Sequence, residues 1–247
     1  MTGLIDFHSH ILPEIDDGSK SLEMSIEMLR MEARQGIGHV VATPHFYPQY
    51  DTPERFLKRR TEAEIALREE MQKYTDLPAL SMGAEVYYFH GISDSEGISE
   101  LTIDQKRCIL IEMPTSSWTE SMYRELEGLY VKRGLIPIVA HIDRYIGRFH
   151  NRGILKRLEH LPVLIQANAE FFLESATSSM ALRMLKKEGI HLLGSDCHDT
   201  TSRRPNLQDA VTLICRRLGK DALEGIIACQ RDVLAGECVN SVHTAYV

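Results

Sequence analysis

Short apolar runs recur along the chain, each followed by a polar or glycine-containing turn and then a helix-length amphipathic stretch. Seven runs follow this rule: Leu4 to Phe7, His39 to Thr43, Leu80 to Glu85, Cys108 to Glu112, Ile136 to Ala140, Val163 to Ala167 and His191 to Gly194. Runs that are almost wholly apolar predict strands buried on both faces, as in a parallel sheet covered by helices. Helix ends can be placed between them. Ser21 caps a helix through Leu22, Ile26, Leu29 and Ala33 that stops at Gly36, and Thr52-Pro53-Glu54 opens a long charged helix running towards Tyr74. Thr119 starts a third, with Gly134 just beyond Arg133, and the segment Leu207 to Ala235 reads as two or three helices with breaks near Gly219 and Gly225.

Seven strand-helix alternations, joined by right-handed crossovers that make successive parallel strands neighbours, predict a closed or nearly closed α/β barrel. The length of 247 residues suits that architecture, and no linker or low-complexity stretch divides it, so a single domain over 1–247 is expected.

Charge and composition narrow the function classes. The net charge is -7 with acidic and basic residues interspersed, which argues against a nucleic-acid-binding face and supplies no polybasic membrane patch. No apolar run approaches the roughly 20 residues of a membrane span, and the N-terminus enters a strand without a signal-peptide pattern, so no membrane insertion and a cytoplasmic location are expected. Five cysteines without a Cys-x-x-Cys pair fit reduced core thiols.

The chemistry lies where the apolar runs end. Asp6-Phe7-His8-Ser9-His10, Asp16-Asp17, His45, Glu85, Glu112, His141 and Asp196-Cys197-His198 each sit at or just after a run. In a β/α barrel those are the strand ends where active sites are assembled, and imidazole nitrogens with carboxylate oxygens suit zinc, manganese or iron. Taken singly, Glu85 or Glu112 is read more readily as a capping or turn carboxylate, and His45, His141 and Asp17 divide evenly between site and local structure. The paired ligands of His8-Ser9-His10 and Asp196-Cys197-His198 are harder to explain without a metal, because they place several polar groups at a buried rim. His39, His90, His150, His160, His191 and His243 lack partner spacing and are assigned to structure or surface. Cys197 and Arg203 have the Cys-x5-Arg spacing of cysteine-based phosphatases, but no glycine lies between them and Asp196 and Asp199 would raise the thiol pKa, so a cysteine nucleophile is rejected.

These residues also carry a resemblance. Asp6-x-His8-x-His10, Thr43-Pro44-His45, Gly83-Ala84-Glu85, His141-Ile142-Asp143-Arg144 and Ser195-Asp196-Cys197-His198 resemble the polymerase and histidinol phosphatase (PHP) superfamily. His8-Ser9-His10-Ile11-Leu12-Pro13, Asp16-Asp17-Gly18, Val41-Ala42-Thr43-Pro44-His45, Gly83-Ala84-Glu85-Val86-Tyr87-Tyr88, Ile138-Val139-Ala140-His141 and Arg203-x-Pro205 are similar to its branch of bacterial manganese-dependent protein-tyrosine phosphatases of capsular and extracellular polysaccharide synthesis. The resemblance implies a distorted seven-stranded (β/α)7 TIM-like barrel of PHP type. It implies three divalent ions: one on His8, His10, Glu85 and Asp196, one on Asp17, His45 and His198, and one on Glu112, His141 and the shared Glu85. Manganese is the expected metal, with iron or zinc as alternatives. Four carboxylates against three such ions leave two positive charges for a phosphate dianion to balance.

By the same resemblance a metal-activated water attacks the phosphoryl group, Arg144 and Arg203 hold its oxygens, and Asp143 donates a proton or organises water. The implied substrate is a phosphotyrosine-bearing protein, the tail of a membrane-linked bacterial tyrosine kinase; an oligomer is compatible with the sequence. The alternatives are a small-molecule phosphatase, such as one for histidinol phosphate, and a non-catalytic phosphoprotein-binding protein. Three positions depart from the branch pattern without removing a ligand: Asp143 stands for glutamate, Arg204 interrupts Arg-Pro-Pro, and Gln230-Arg231-Asp232 replaces Asn-Pro.

Overall fold

Each predicted apolar run forms a strand, in a computed structural model that describes residues 3–146 and 153–237. The strands are β1 (Leu4–Ser9), β2 (Ile37–Ala42), β3 (His45–Phe46), β4 (Ala79–Met82), β5 (Glu85–Tyr87), β6 (Cys108–Glu112), β7 (Ile136–Val139), β8 (Leu164–Asn168) and β9 (Leu192–Gly194). All pairs are parallel, in the orders β1-β2-β4 and β3-β5-β6-β7-β8-β9. The number exceeds seven because two runs are interrupted where the expected motifs begin, at Thr43-Pro44 and at Gly83-Ala84. Pro44 has no N–H to donate, which breaks the ladder there. The interruptions are spanned by Gly83 N donating to Ala42 O at 2.8 Å and Glu85 N to Pro44 O at 3.0 Å, while the buried Arg60 donates to Gly83 O at 2.7 Å. The result is an α/β fold with a curled parallel sheet.

Alternate side chains of the strands enter two cores. Ile5, Phe7, Val41, Leu110, Ile138, Leu164 and Leu192 meet inside the curl, whereas Leu4, Val40, Ile109, Ile111, Val139, Ile165 and Leu193 pack with the helices outside. Burial on both faces explains the uninterrupted apolar runs. The helices are α1 (Leu22–Arg34), α2 (Pro53–Met71), α3 (Glu120–Arg133), α4 (Ile154–Leu158), α5 (Ala169–Leu173), α6 (Ser178–Lys186), α7 (Leu207–Leu218) and α8 (Lys220–Ala235). Their predicted starts hold: Ser21 Oγ accepts from Met24 N and Thr52 Oγ1 from Arg55 N. The C-terminal segment has one break, at Gly219, and none at Gly225, because Leu223, Ile226 and Val233 form one continuous buried face that outweighs the helix-weakening glycine. Among the described residues no helix is long and apolar enough to cross a membrane.

The curl brings the last strand back beside the first. Asp196 N donates to His8 O at 2.8 Å and His10 N to Cys197 O at 2.9 Å, and Asp6 Oδ1 accepts from Ser195 N at 2.9 Å. Gln230, buried on α8, donates to both Ile5 O and Leu193 O. The close approach requires glycine at 194, where a Cβ would lie 2.5 Å from His8 Cβ and 2.8 Å from His8 N. Below this seam, Asp6, Glu32 and Cys197 form a buried group facing α1. Burial and the Asp6 charge push the Glu32 carboxyl well above its ordinary range, and burial also raises Asp6, so the pair retains a proton.

Two stability predictions follow from the seam. Gly194→Ala separates β9 from β1 and destabilises the fold by about 1–3 kcal/mol in urea unfolding. Glu32 binds its proton more tightly folded than unfolded, so its contribution is complete below the ordinary glutamate pKa and declines as pH rises above it. Glu32→Gln, which supplies a permanent donor to Asp6, flattens the fall in unfolding stability as pH rises above the ordinary glutamate range.

Candidate metal centre

Nine residues at or just beyond strand ends converge on one end of the curled sheet. His8 and His10 come from β1 and the turn after it, His45 from β3, Glu85 from β5, Glu112 from β6, His141 from the end of β7, and Asp196 and His198 from the segment after β9. Asp17 joins them from the loop before α1. The β1–β2 register shifts between Asp6 and Ser9, an irregularity in the segment that carries His8. Gly18 is required in that loop, since a Cβ there would stand 2.2 Å from His10 O.

The donor atoms are packed at the spacing of a coordination shell. His8 Nε2 and His10 Nε2 are 3.2 Å apart, each is 3.2 Å from Glu85 Oε2, and they lie 3.7 and 3.5 Å from Asp196 Oδ1. Four ligands held tetrahedrally about 2.1 Å from an ion stand about 3.4 Å apart. Around Asp17, Oδ1 is 3.3 Å from His198 Nε2 and 3.6 Å from His45 Nε2, and His10 shares this group. On the other side, His141 Nε2 is 2.8 Å from Glu85 Oε1 and 3.5 Å from Glu112 Oε1. His45 faces both sides, its Nδ1 being 3.1 Å from Glu85 Oε2 and 3.9 Å from Glu112 Oε2. Among the described residues, buried His45 Nδ1 and His198 Nε2 make no well-directed hydrogen bond even with carboxylate oxygens 3.1 and 3.3 Å away, which is costly unless another species satisfies them. This donor set fits divalent cations.

Side chains behind the cluster orient it. Asp16 Oδ2 accepts from His10 Nδ1 at 2.7 Å and from His45 N at 2.9 Å. Gln166 Oε1 lies 3.3 Å from His8 Nδ1 and accepts from His141 N at 2.6 Å, its amide donates to Asn168 Oδ1, and Asn168 donates to Asp196 Oδ2 at 3.0 Å. His198 Nδ1 lies 2.9 Å from Asp196 O, and Tyr145 Oη 3.1 Å from His141 Nδ1. With Nδ1 engaged in this way on His8, His10, His141 and His198, the Nε2 atoms face the shared space. Sequence reasoning singled out Asp16 within Asp16-Asp17 but missed Gln166, Asn168 and Tyr145 as supports, although a glutamine within the apolar Val163–Ala167 run was a usable signal. His141 and Asp196 also have positive φ, 30° and 54°, the left-handed conformation disfavoured for side chains with a Cβ.

The electrostatics follow from crowding. Burial opposes ionisation of Glu85 and Asp196, but the neighbouring imidazoles outweigh it and hold both well below the carboxylate range. Burial likewise opposes charging His10, yet Asp16, Asp196 and Glu85 push its pKa well above the ordinary value, and Glu112 and Glu85 bring His141 up to about 9. His10 and His141 therefore favour the charged form beside the carboxylates, whereas burial lowers the pKa of His45.

The predicted arginines lie at the mouth. Arg144 Nη2 is 2.5 Å from Asp196 Oδ2 and its Nη1 3.6 Å from Glu112 Oε1; Arg203 Nη2 is 2.9 Å from Asp196 Oδ1. Asp143 turns aside to accept from Asn168 N at 3.2 Å, and burial raises its pKa. Cys197 is fully buried against Glu32, where burial and that carboxylate raise its thiol well above the ordinary range, so it is no nucleophile. Among the other histidines, His39 lies 2.7 Å from Ser81 Oγ and His191 Nδ1 accepts from Ile165 N, while His90 pairs with Glu125. His150 and His243 lie outside the described residues.

The chain resembles known proteins along most of its length. A tyrosine-protein phosphatase CpsB of Streptococcus pneumoniae is 28% identical over 247 residues, covering 96% of this chain and all of that protein. The tyrosine-protein phosphatase YwqE of Bacillus subtilis is 28% identical over 232 residues, covering 88% of this chain and 86% of the relative. A crystal structure from work on YwqE and CpsB, described as metal-dependent tyrosine phosphatases, superposes with a TM-score of 0.84 at 24% identity over 95% of each chain, and so shares the fold. The family model for capsular polysaccharide synthesis, CpsB/CapC, matches residues 4–234, and the chain belongs to that family.

Proposed function

We propose that this chain is a metal-dependent phosphomonoester hydrolase whose substrate is phosphotyrosine in a protein. The observation that carries the reading is the set of imidazole and carboxylate atoms at coordination-shell spacing, with two buried imidazole nitrogens unsatisfied. The relatives' names supply the substrate class. The chain acts as one domain over 1–247, a distorted (β/α)7 barrel in which each interrupted strand counts once; the hydrogen bonds joining β1 to the segment after β9 support that closure.

Three divalent ions are assigned: one to His8, His10, Glu85 and Asp196, one to Asp17, His45 and His198, and one to Glu112, His141 and Glu85. The family resemblance makes manganese the expected metal, and the oxygen and imidazole donors accept iron or zinc as well. When bound, such ions supply an acidified water and neutralise phosphoryl charge. The protein supplies the rest. Arg144 and Arg203, now held on Asp196, offer planar donors to phosphoryl oxygens. The Asp143 carboxyl, biased towards its protonated form by burial, is the candidate proton source for the departing tyrosyl oxygen. The family's link to capsular polysaccharide synthesis supports a cytoplasmic role on the tail of a membrane-linked tyrosine kinase.

Phosphate release from a phosphotyrosyl peptide tests the reading. Activity disappears on chelation and returns with manganese, and exceeds that on histidinol phosphate; preference for histidinol phosphate moves the protein to small-molecule metabolism. Asp196→Ala and His141→Ala lower kcat by roughly a hundredfold or more, with bound metal counted in parallel. Cys197→Ser retains most activity, and its inactivation in a folded, metal-replete protein overturns the water mechanism.

A further inference from the structure

A cavity of about 560 Å³ adjoins the metal centre at Asp17 and His45. Asp16, Asp17 and His45 line it together with Ile15, Tyr47 and Tyr50, and Asp51, Arg55 and Arg59 complete its walls. Tyr47, half-buried, stacks on His45 with ring centroids 4.9 Å apart and lies 5.8 Å from Tyr87 and 6.4 Å from Tyr50. Tyr50 is 78% exposed, the largest exposure among the exposed large hydrophobic side chains. The rim behind it is fixed, since Asp51 pairs with Arg59 and Arg55 on the first turns of α2 and Arg59 also donates to Ile15 O.

We infer that Tyr47, with Tyr50 at the lip, selects aryl over alkyl phosphomonoesters by packing against the ring of the leaving group. The inference rests on the phosphatase reading of the adjoining centre and adds a specificity element that the metal and arginine ligands cannot provide, because they contact only the phosphoryl group. A phosphoryl group held at the centre directs its ester oxygen outwards. A cavity of this size, beginning at His45 and walled by tyrosines, matches a flat aromatic substituent attached to that oxygen. Aromatic pairs at centroid separations of about 4.5–7 Å gain more than area burial alone, and the gain is absent for an alkyl chain. Tyr47 is placed by its neighbours on both sides, so its ring is already ordered before substrate arrives.

Steady-state hydrolysis of phosphotyrosine by the manganese-loaded enzyme, together with competitive inhibition by inorganic phosphate, tests this. Phosphate has no ring and reports the centre alone. Tyr47→Leu raises KM for phosphotyrosine by roughly two- to tenfold while the inhibition constant of phosphate and the metal content stay as in the native enzyme; Tyr47→Phe restores KM. Tyr50→Leu shifts KM in the same direction by a smaller factor. An unchanged KM in Tyr47→Leu, or equal weakening of phosphotyrosine and phosphate, overturns the aryl-selecting role while leaving the phosphatase reading intact. Failure of the native, metal-loaded enzyme to hydrolyse phosphotyrosine defeats both.

Discussion

Carboxylates buried at one end of the sheet can remain ionised only beside positive charge, and the rest of the structure is arranged around that constraint. Glu85 and Asp196 are almost inaccessible to solvent, and Glu85 lies within about one hydrogen-bond length of four imidazoles. An isolated carboxylate in such a place takes up a proton instead. Here the opposite holds, because His8, His10, His141, Arg144 and Arg203 surround them. Without cations His10 and His141 are biased towards their protonated forms; divalent ions would take over that positive charge and release the protons, since only neutral imidazole coordinates. The cluster is thus built for a positive charge larger than the side chains themselves carry comfortably.

Holding so many like groups together requires a rigid frame, and the parallel sheet provides it. Ligands arrive from β1, β3, β5, β6, β7 and the segment after β9, so small displacements of any one strand alter several donor separations at once. The interrupted strands and the seam between β1 and β9 are where regular hydrogen bonding fails, and at each one a polar side chain takes over: Arg60 at the β4–β5 interruption, Gln230 at the seam, Asp16 behind His10 and His45. Left-handed backbone at His141 and Asp196 fits the same pattern, with local strain tolerated where packing on both sides fixes the conformation.

Much of this was legible in the sequence because parallel strands buried on both faces leave uninterrupted apolar runs, and because residues at their C-terminal ends must converge. His8-Ser9-His10 and Asp196-Cys197-His198 could be read from spacing alone; Glu85 and Glu112 could not, and needed the family resemblance to separate them from ordinary turn carboxylates. The supports were harder. Gln166 lies 25 residues from His141 and 158 from His8 in sequence, and nothing local to it specifies either contact. Gly225 misled for a related reason: its intrinsic helix-weakening effect is local, whereas the buried face of Leu223, Ile226 and Val233 that keeps α8 continuous depends on packing. Tyr47 carried no signal either, being one aromatic residue in a loop until the fold set it against His45.

The seam also separates two acidic groups with opposite protonation. Asp6 and Asp196 are tied to the same pair of chain segments, and both are buried. Asp196 faces imidazoles and guanidiniums and stays ionised; Asp6 faces Glu32 and Cys197, has no cation beside it, and is raised by burial. Both sites bring carboxylates within ligand distance of other donors, Cys197 in one and several histidines in the other. The difference is the company kept: a site prepared for metal has its anions matched by neutralisable imidazoles, while burial without such neighbours leaves the Asp6 and Glu32 pair holding a proton. On that criterion the Asp6, Glu32 and Cys197 group belongs to the packing of α1 on the sheet, and the histidine-rich group across the seam is the one poised to bind cations.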